Sequence, residues 1–257
     1  MALHFNCLPT ELEADQIDDY LYLMQQEHNT PSDSYFKHTV YGLRFVFRMY
    51  GLKEKRIELP SIKHDKKLPV VLSKEEVRRL LKAPQLLKHR ILLGLLYGCG
   101  LRCFEARNIK LADLDFDRKM LHVQQGKGRK DRYVPLCDML IRGLRSYILS
   151  ENPETWLFNG KPVGSAGGDF ESRYSQKGVQ WAVNQARKTA GIKKEMSVHT
   201  LRHTYATHLL EDGLDITTIK DLLGHVCIDT TLVYLHVAQS RHREPFSPLE
   251  TLYPAKK

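Results

Sequence analysis

The chain of 257 residues lacks any long, uninterrupted apolar run. The longest one, Ile91–Leu101, is broken by Gly94, Gly98 and Gly100, and it falls well short of the ~20 apolar residues that a membrane-spanning helix needs. The first residues also lack the basic patch and apolar core of a secretion signal. These absences predict a buried helix near residues 91–101 and a cytoplasmic protein without a membrane partner.

Cysteine is scarce and scattered. There are five cysteines, an odd number, so they do not form a complete disulfide framework. Cys99 and Cys103 lie one helical turn apart, but no second pair completes a zinc site. We therefore expect reduced, mostly buried thiols and no bound metal. The cysteines are Cys7, Cys99, Cys103, Cys137 and Cys227.

Acidic residues are fewer than basic residues. There are 39 Lys and Arg against 30 Asp and Glu, which gives a formal net charge of +9. A basic excess of this size favours a polyanionic partner, because each phosphate that is neutralised releases counterions. A basic protein without a nucleic-acid partner fits the charge equally well. Charge alone therefore leaves DNA binding open.

Apolar residues at helical spacing predict two helices early in the chain, within residues 12–26 and 34–52. Basic side chains lie away from the apolar side of the second helix, at Lys37, Arg44 and Arg48. A run with prolines and concentrated positive charge follows, and Lys63, Lys66 and Lys67 lie in it. We predict a helical N-terminal domain over residues 1–62, a basic linker over 63–71 and a second domain over 72–257.

The second domain has mostly helical periodicity and opens with Ser73 and Glu76, the spacing of a capping box. Period-two alternation predicts three short antiparallel strands at residues 111–116, 120–125 and 132–136. Residues 151–170 are rich in turn formers and are predicted as a loop. Further helices are predicted within residues 89–100, 101–109, 179–191, 198–213, 216–225 and 229–240. The predicted fold class is mainly α with a small antiparallel β-sheet.

Two groups of residues suit anion binding. His199 and Arg202 are three residues apart and share a helix face, where a guanidinium fork matches phosphate oxygens. An ordinary surface pair fits the same spacing, and zinc is disfavoured because Thr200 stands where a zinc-protease helix carries its Glu. Arg102 and Glu105 also share a face, so the carboxylate either positions the guanidinium or forms a plain ion pair.

Two further features are ambiguous when taken alone. Glycines flank Lys127 and place it at a predicted hairpin tip, where it is either a general acid or an unengaged surface residue. His225 follows the helix-ending Gly224, and Tyr234 lies nine residues later. A lone tyrosine on an amphipathic helix is more often part of the core than a nucleophile.

In chain order these pieces form GLR-x-x-E, GKG-x-K-x-R, H-x-L-R-H, LGH and then a tyrosine. This series resembles the tyrosine recombinase family, which includes phage integrases, Xer-type chromosome resolvers and related transposases. The resemblance extends from Leu72 to about Ala238. It implies a helical DNA-clamping domain followed by a catalytic domain, although residues 1–62 hold fewer helices than the clamping domain of the family.

The resemblance also implies residue roles at the scissile phosphate of DNA. Arg102 and Arg202 would hold its non-bridging oxygens, and Glu105 would position the site. His199 would hydrogen-bond the phosphate and handle the proton of the nucleophile. His225 would support the phosphate and the nucleophile.

Tyr234 would attack phosphorus, leaving a 3′-phosphotyrosyl bond, while Lys127 would protonate the departing 5′ oxygen. No metal and no ATP would be needed, since the covalent bond conserves the energy of the broken ester. Two rounds of strand exchange would pass through a Holliday junction, carried out by four subunits that dock through a tail over residues 243–257.

The expected partner is double-stranded DNA with a specific recombination site. Candidate DNA-contacting residues are the basic ones of the first domain, the linker and the hairpin, namely Lys37, Arg44, Arg48, Lys63, Lys66, Lys67, Arg129, Lys130 and Arg132. Two alternatives remain open at this point: DNA relaxation of the type IB topoisomerase kind, and DNA binding by a non-catalytic protein of the same fold.

Overall fold

A computed structural model describes residues 1–26, 33–52, 54–58, 68–124, 131–160 and 173–238. The chain divides into two compact units, Met1–Lys67 and Leu68–Lys257. No helix among the described residues is long and apolar enough to cross a membrane. Several residues singled out above lie outside the described residues: Lys63, Lys66, Lys67, Lys127, Arg129, Lys130 and the tail 243–257.

The first unit is built around two helices, α2 (Ala14–Gln26) and α3 (Asp33–Met49), which follow a single turn, α1 (Ala2–Phe5). The longer helices correspond to the two that the apolar spacing predicts. Their facing sides bury one apolar cluster, which consists of Leu12, Ile17, Leu21, Phe36, Val40, Phe47 and Ile57.

Basic side chains of this unit differ in what they contact. The Arg44 guanidinium donates two hydrogen bonds to the carbonyl of Ile57, of 3.0 and 2.5 Å, and so holds the segment after α3 against that helix. Lys37 and Arg48 are exposed to solvent. Of the three basic residues predicted to contact DNA from α3, Arg44 therefore already has a structural partner.

The second unit is mainly helical around a small sheet, which confirms the predicted fold class. Ser73 caps its first helix, and Ser73 and Glu76 form the predicted capping box, with bonds of 3.1 and 2.7 Å. Its helices are α4 (Lys74–Lys82), α5 (Leu87–Gly98), α6 (Cys103–Arg107), α7 (Asp138–Glu151), α8 (Gln176–Thr189), α9 (Val198–Glu211), α10 (Ile216–Leu223) and α11 (Asp229–Leu232).

The sheet has three antiparallel strands in the order β1 (Leu114–Asp115), β2 (Met120–Val123) and β3 (Arg132–Pro135). Leu121 pairs with Val134, and both are fully buried on the face that packs against the helices. The first strand is shorter than predicted because Leu111–Asp113 form a 3₁₀ turn. The Asp113 carboxylate caps that turn by accepting a 2.8 Å hydrogen bond from the backbone of Lys110.

Two helical regions differ from the predictions. Helix α7 was not predicted, although Leu140, Ile141, Leu144 and Tyr147 bury one face at helical spacing. The predicted helix over residues 229–240 is broken, because α11 ends at Leu232 and a 3₁₀ turn, Val233–His236, follows it. Tyr234 lies in this turn.

Helix α9 is the centre of the unit and is buried on most sides. Its polar side chains hold the start of the unit in place: Thr204 accepts a 3.1 Å hydrogen bond from the backbone N–H of Leu72. The His208 Nε2 lies 2.9 Å from the carbonyl oxygen of the same residue. These contacts anchor the chain to the helix that carries His199 and Arg202.

Candidate active site

Three arginines from different elements surround one buried carboxylate. Arg102, at the N-terminus of α6, donates a 2.7 Å hydrogen bond from Nη1 to Oε1 of Glu105, and its backbone N–H donates to Oε2 at 2.8 Å. Arg132, from β3, bonds both carboxylate oxygens, at 2.9 and 2.8 Å. The Nη1 of Arg202, from α9, lies 3.8 Å from Oε2. Glu105 therefore joins α6, β3 and α9.

Arg132 has a different environment from the one expected for a DNA-contacting residue. Its side chain is only 8% exposed. Besides its two bonds to Glu105, it donates from Nε to the carbonyl of Leu222 at 2.7 Å. All three guanidinium nitrogens are engaged inside the protein, so Arg132 acts here as a positioning residue rather than as a surface contact.

Arg202 is also buried, with 4% of its side chain exposed. It donates a 2.7 Å hydrogen bond to the carbonyl of Gly100 and a 2.5 Å hydrogen bond to that of Leu223. Gly100 has φ of +60°, and a Cβ atom there would lie 2.4 Å from the Tyr205 ring, so this close approach requires glycine. Burial and the charge of Arg102 lower the pKa of Arg202 to about 10, which keeps it protonated at neutral pH.

The carboxylate of Glu105 is ionised in this setting. Burial opposes its ionisation, but the hydrogen bonds and charges of Arg132 and Arg102 outweigh that effect and lower its pKa to about 2. One negative charge is thus shared by three guanidinium groups. The cluster retains two positive charges, which suits the binding of a phosphate group.

The Tyr234 hydroxyl lies next to a histidine that the sequence analysis did not select. Tyr234 is 1% exposed, and the Nδ1 of His203 lies 3.0 Å from its hydroxyl oxygen. Burial raises the pKa of Tyr234, while the charges of Arg202 and Arg102 oppose the rise. His203 is the last residue of the H-x-L-R-H motif, but the resemblance assigns it no role, so only the folded structure shows its contact with Tyr234.

His225 lies close to the cluster but bonds a different partner. Its Nδ1 lies 2.9 Å from the hydroxyl oxygen of Thr231, which is fully buried. Burial and the charges of Arg202 and Arg102 lower its pKa to about 4, so the imidazole is neutral at neutral pH. The preceding Gly224 ends α10 with φ of +63°, and a Cβ there would lie 3.2 Å from the Arg132 side chain.

His199 and Arg102 are the more accessible members of the site. His199 is exposed, and the Arg102 side chain is 19% exposed. The His199 and His203 ring centroids are 6.5 Å apart. An incoming anion would therefore meet Arg102 and His199 first, with Arg202 and Tyr234 behind them.

Two further expectations from the sequence concern a bound metal and Lys127. Among the described residues, no three His, Cys, Asp or Glu side chains group together to hold a metal ion. Lys127 lies outside the described residues. The structure thus brings together six of the seven residues expected to be catalytic, and it adds Arg132 and His203 to them.

Comparisons with known proteins find integrases and tyrosine recombinases. The phage integrase family matches residues 70–241. The putative integrase/recombinase y4qK of Sinorhizobium fredii is 36% identical over 98% of this chain and 80% of its own length. A tyrosine recombinase of Thermosipho africanus is 39% identical over 79% of this chain and 68% of its own length.

A solved structure shares the fold. It is the XerH site-specific recombinase bound to a palindromic difH substrate, in a post-cleavage complex. The TM-score is 0.70 at 21% identity, and the match covers 95% of this chain and 72% of that one.

Proposed function

The chain belongs to the phage integrase family, and from that premise we propose that it cuts and rejoins DNA at a specific site through a covalent bond to Tyr234. One observation carries the proposal. The Tyr234 hydroxyl lies beside an arginine cluster that retains two positive charges, within a chain whose relatives are named integrases and tyrosine recombinases. A nucleophile and a phosphate-binding site therefore share one location.

The phosphate would bind at the accessible side of the cluster. Arg102 and His199 would donate hydrogen bonds to its non-bridging oxygens, and Arg202 would add its charge from behind. Glu105 and Arg132 would hold the guanidinium groups in place. Charges that are fixed before the substrate binds stabilise a phosphoryl transition state without reorganising.

The reaction would proceed by nucleophilic attack on phosphorus. The Tyr234 oxygen forms a bond to the phosphorus, and the bond to the 5′ oxygen breaks, which leaves a 3′-phosphotyrosyl linkage. Lys127 would give its proton to the departing 5′ oxygen, a role that rests on the sequence motif. Attack by a 5′-hydroxyl then reverses the step, and no ATP is consumed because the linkage conserves the ester energy.

The assembly belongs to the same proposal. A domain over residues 1–62 and one over 72–257 would clamp the DNA, with the linker 63–71 crossing its backbone. Four subunits would exchange strands through a Holliday junction, each docking its tail 243–257 on a neighbour. The reaction would take place in the cytoplasm of a prokaryotic host, where double-stranded DNA is available.

Covalent capture in cells tests this function. Wild-type protein and Tyr234→Phe are expressed, and the cells are lysed rapidly under denaturing conditions. Protein that carries DNA through a phosphotyrosyl bond is isolated, and the attached DNA is sequenced. We expect an adduct from the wild type alone, with DNA ends clustered at one sequence. Adducts from Tyr234→Phe would exclude Tyr234 as the nucleophile. Ends without any sequence preference would favour a relaxing enzyme instead.

A further inference from the structure

We propose that His203 is a catalytic residue that accepts the phenolic proton of Tyr234 during attack. The inference rests on the proposed function and names the base that the reaction requires. The His203 Nδ1 lies 3.0 Å from the Tyr234 hydroxyl oxygen, which is hydrogen-bonding distance for proton transfer. No other histidine contact to this hydroxyl is found among the described residues.

The other two histidines of the site are placed less well for this task. The Nδ1 of His225 is engaged by the hydroxyl of Thr231 at 2.9 Å. His199 lies on the exposed side, with its ring centroid 6.5 Å from that of His203. His199 is therefore better placed to meet the phosphate than to take the proton from Tyr234.

His203 is held firmly by its own helix. It lies in α9 directly after Arg202, whose guanidinium is bonded to the carbonyls of Gly100 and Leu223. The His203 and Tyr234 rings are tilted by 54°, with centroids 5.7 Å apart. The base is thus positioned by the same contacts that fix the charge cluster.

The protonation states fit this role. Burial lowers the pKa of His203 below its ordinary value of 6.5, and the nearby charges of His199 and Arg202 lower it further. The imidazole is then neutral at neutral pH, so its Nδ1 lone pair accepts the hydrogen bond from the phenol. Because burial raises the pKa of Tyr234, the phenol keeps its proton until a base removes it.

The O–H bond of Tyr234 breaks as an N–H bond forms at Nδ1 of His203, and the phenolate oxygen bonds to phosphorus. The P–O bond to the 5′ oxygen breaks, and that oxygen takes its proton from Lys127. In rejoining, a 5′-hydroxyl attacks phosphorus and gives its proton to the neutral amine of Lys127. Tyr234 leaves as a phenolate, and the imidazolium of His203 returns the phenolic proton to it.

The test compares His203→Asn with His203→Ala on a nicked duplex carrying the site found by covalent capture, and it measures single-turnover cleavage. The Asn side chain places an oxygen near the former Nδ1 position, so it retains a hydrogen-bond acceptor but is not a base. We expect both variants to cleave ~10²-fold more slowly at pH 7, the typical contribution of a general base. His203→Asn cleaving at the wild-type rate would overturn the inference.

The pH dependence provides a second readout. The groups that face His203 are His199 and Arg202 on α9, His225 after α10, and Tyr234 on the 3₁₀ turn. The wild-type rate should be level above the pKa of His203 and fall below it. In His203→Asn the rate should rise about tenfold per pH unit as hydroxide replaces the base. Identical profiles for the two proteins would also overturn the inference.

A substrate with sulfur in place of the 5′ oxygen separates the two proton transfers, because a thiolate leaves without an acid. This substrate should restore the cleavage rate of Lys127→Ala but leave cleavage by His203→Asn slow. A restored cleavage rate in His203→Asn would contradict the role assigned to His203. His4→Asn, which changes an exposed histidine on α1 of the first unit, serves as the matched control and should cleave at the wild-type rate.

Failures of the two proposals are distinguishable. Absence of any adduct from the wild type on the supplied duplex would contradict the proposed function. Wild-type adducts with undiminished cleavage by His203→Asn would contradict only the role of His203. Melting temperatures of both variants, measured by circular dichroism, show whether a slow variant is folded.

Discussion

The arginine cluster and the segment that carries the nucleophile are held in different ways. Glu105 receives hydrogen bonds from Arg102 and Arg132 and lies 3.8 Å from Arg202, so charges from three elements are tied to one carboxylate. The nucleophile segment, Asp229–His236, is a four-residue helix followed by a 3₁₀ turn. The side-chain hydrogen bonds that join it to the other described site residues are single bonds between neutral groups, from Thr231 to His225 and from Tyr234 to His203.

This difference divides the work of the site. Charges that stabilise a transition state are effective only when they are already oriented, so the arginines are fixed by several bonds each. Tyr234 is 1% exposed, and it is held by packing in an apolar cluster with α9 and α10 and by its contact with His203. The cluster therefore contributes stability and charge, while the segment contributes the reacting group.

Breaking the cluster at its centre should have the largest effect. Glu105→Gln removes the counter-charge of two buried guanidinium groups, Arg132 and Arg202, and of the partly exposed Arg102. We expect it to lower the free energy of unfolding by about 3–5 kcal/mol. Urea titration monitored by circular dichroism measures the change. Asp138→Asn removes an exposed ion pair with Lys119 and should leave the midpoint unchanged. Equal midpoints for both variants would show that the cluster contributes no stability.

Removing the accessible arginine should affect rate more than folding. Arg102→Ala loses a donor aimed at the phosphate, and single-turnover cleavage should fall by about 10²–10³-fold, as for the loss of an oxyanion donor. Arg78→Ala, which breaks an exposed pair with Glu75 on α4, is the control and should cleave normally. A loss of less than about threefold in Arg102→Ala would contradict a phosphate-binding role.

Lowering the pH should reduce the contribution of the cluster to folding stability over a defined pH range. The pKa of Glu105 is lowered to about 2 in the folded protein, so its ionisation stabilises the fold above the ordinary pKa of 4.5. That contribution, about 3 kcal/mol, is lost as the pH falls from about 4.5 to about 2. Denaturant titrations at several pH values should therefore show a steeper acid loss for the wild type than for Glu105→Gln. Parallel losses would assign the effect to other carboxylates.

The nucleophile segment should respond more weakly. Thr231→Val removes the hydroxyl that engages His225, which should cost about 1 kcal/mol of unfolding free energy and slow cleavage several-fold. Thr207→Val is the matched control, because the buried Thr207 hydroxyl has no hydrogen-bond partner among the described residues. Thermal melting of the two variants checks this contrast, and a destabilised Thr207→Val would undermine it.

The smallest effects are expected from substitutions of basic residues in the first unit. Lys37→Ala and Arg48→Ala should each reduce the slope of log affinity for DNA against log salt by about 1, because each would lose one phosphate contact. Arg44→Ala should instead lower the melting temperature, since Arg44 bonds the Ile57 carbonyl. Filter binding across a salt series measures the slopes. Unchanged slopes for the first two would remove them from the DNA interface.

Local patterns were predicted well, and contacts between distant residues were not. The capping box of Ser73 and Glu76 and the pair of Arg102 and Glu105 lie three residues apart, within the reach of one helical turn. Helix α7 also has apolar residues at helical spacing, although it was not among the predicted helices. The break before Val233 had no such signal, because a four-residue 3₁₀ turn is too short for its period to be distinguished from that of an α-helix.

The sequence by itself determined the fold class, the order of the motifs and the family, since each depends on residue types at short, fixed spacings. Only the tertiary structure decided that Arg132 belongs to the charge cluster and that His203, rather than His225, contacts Tyr234. Glu105 and Arg132 are 27 residues apart, and His203 and Tyr234 are 31 apart. Such contacts depend on how α6, β3, α9 and the final turn pack together. A side chain's chemistry changes with the charge and burial that this packing supplies.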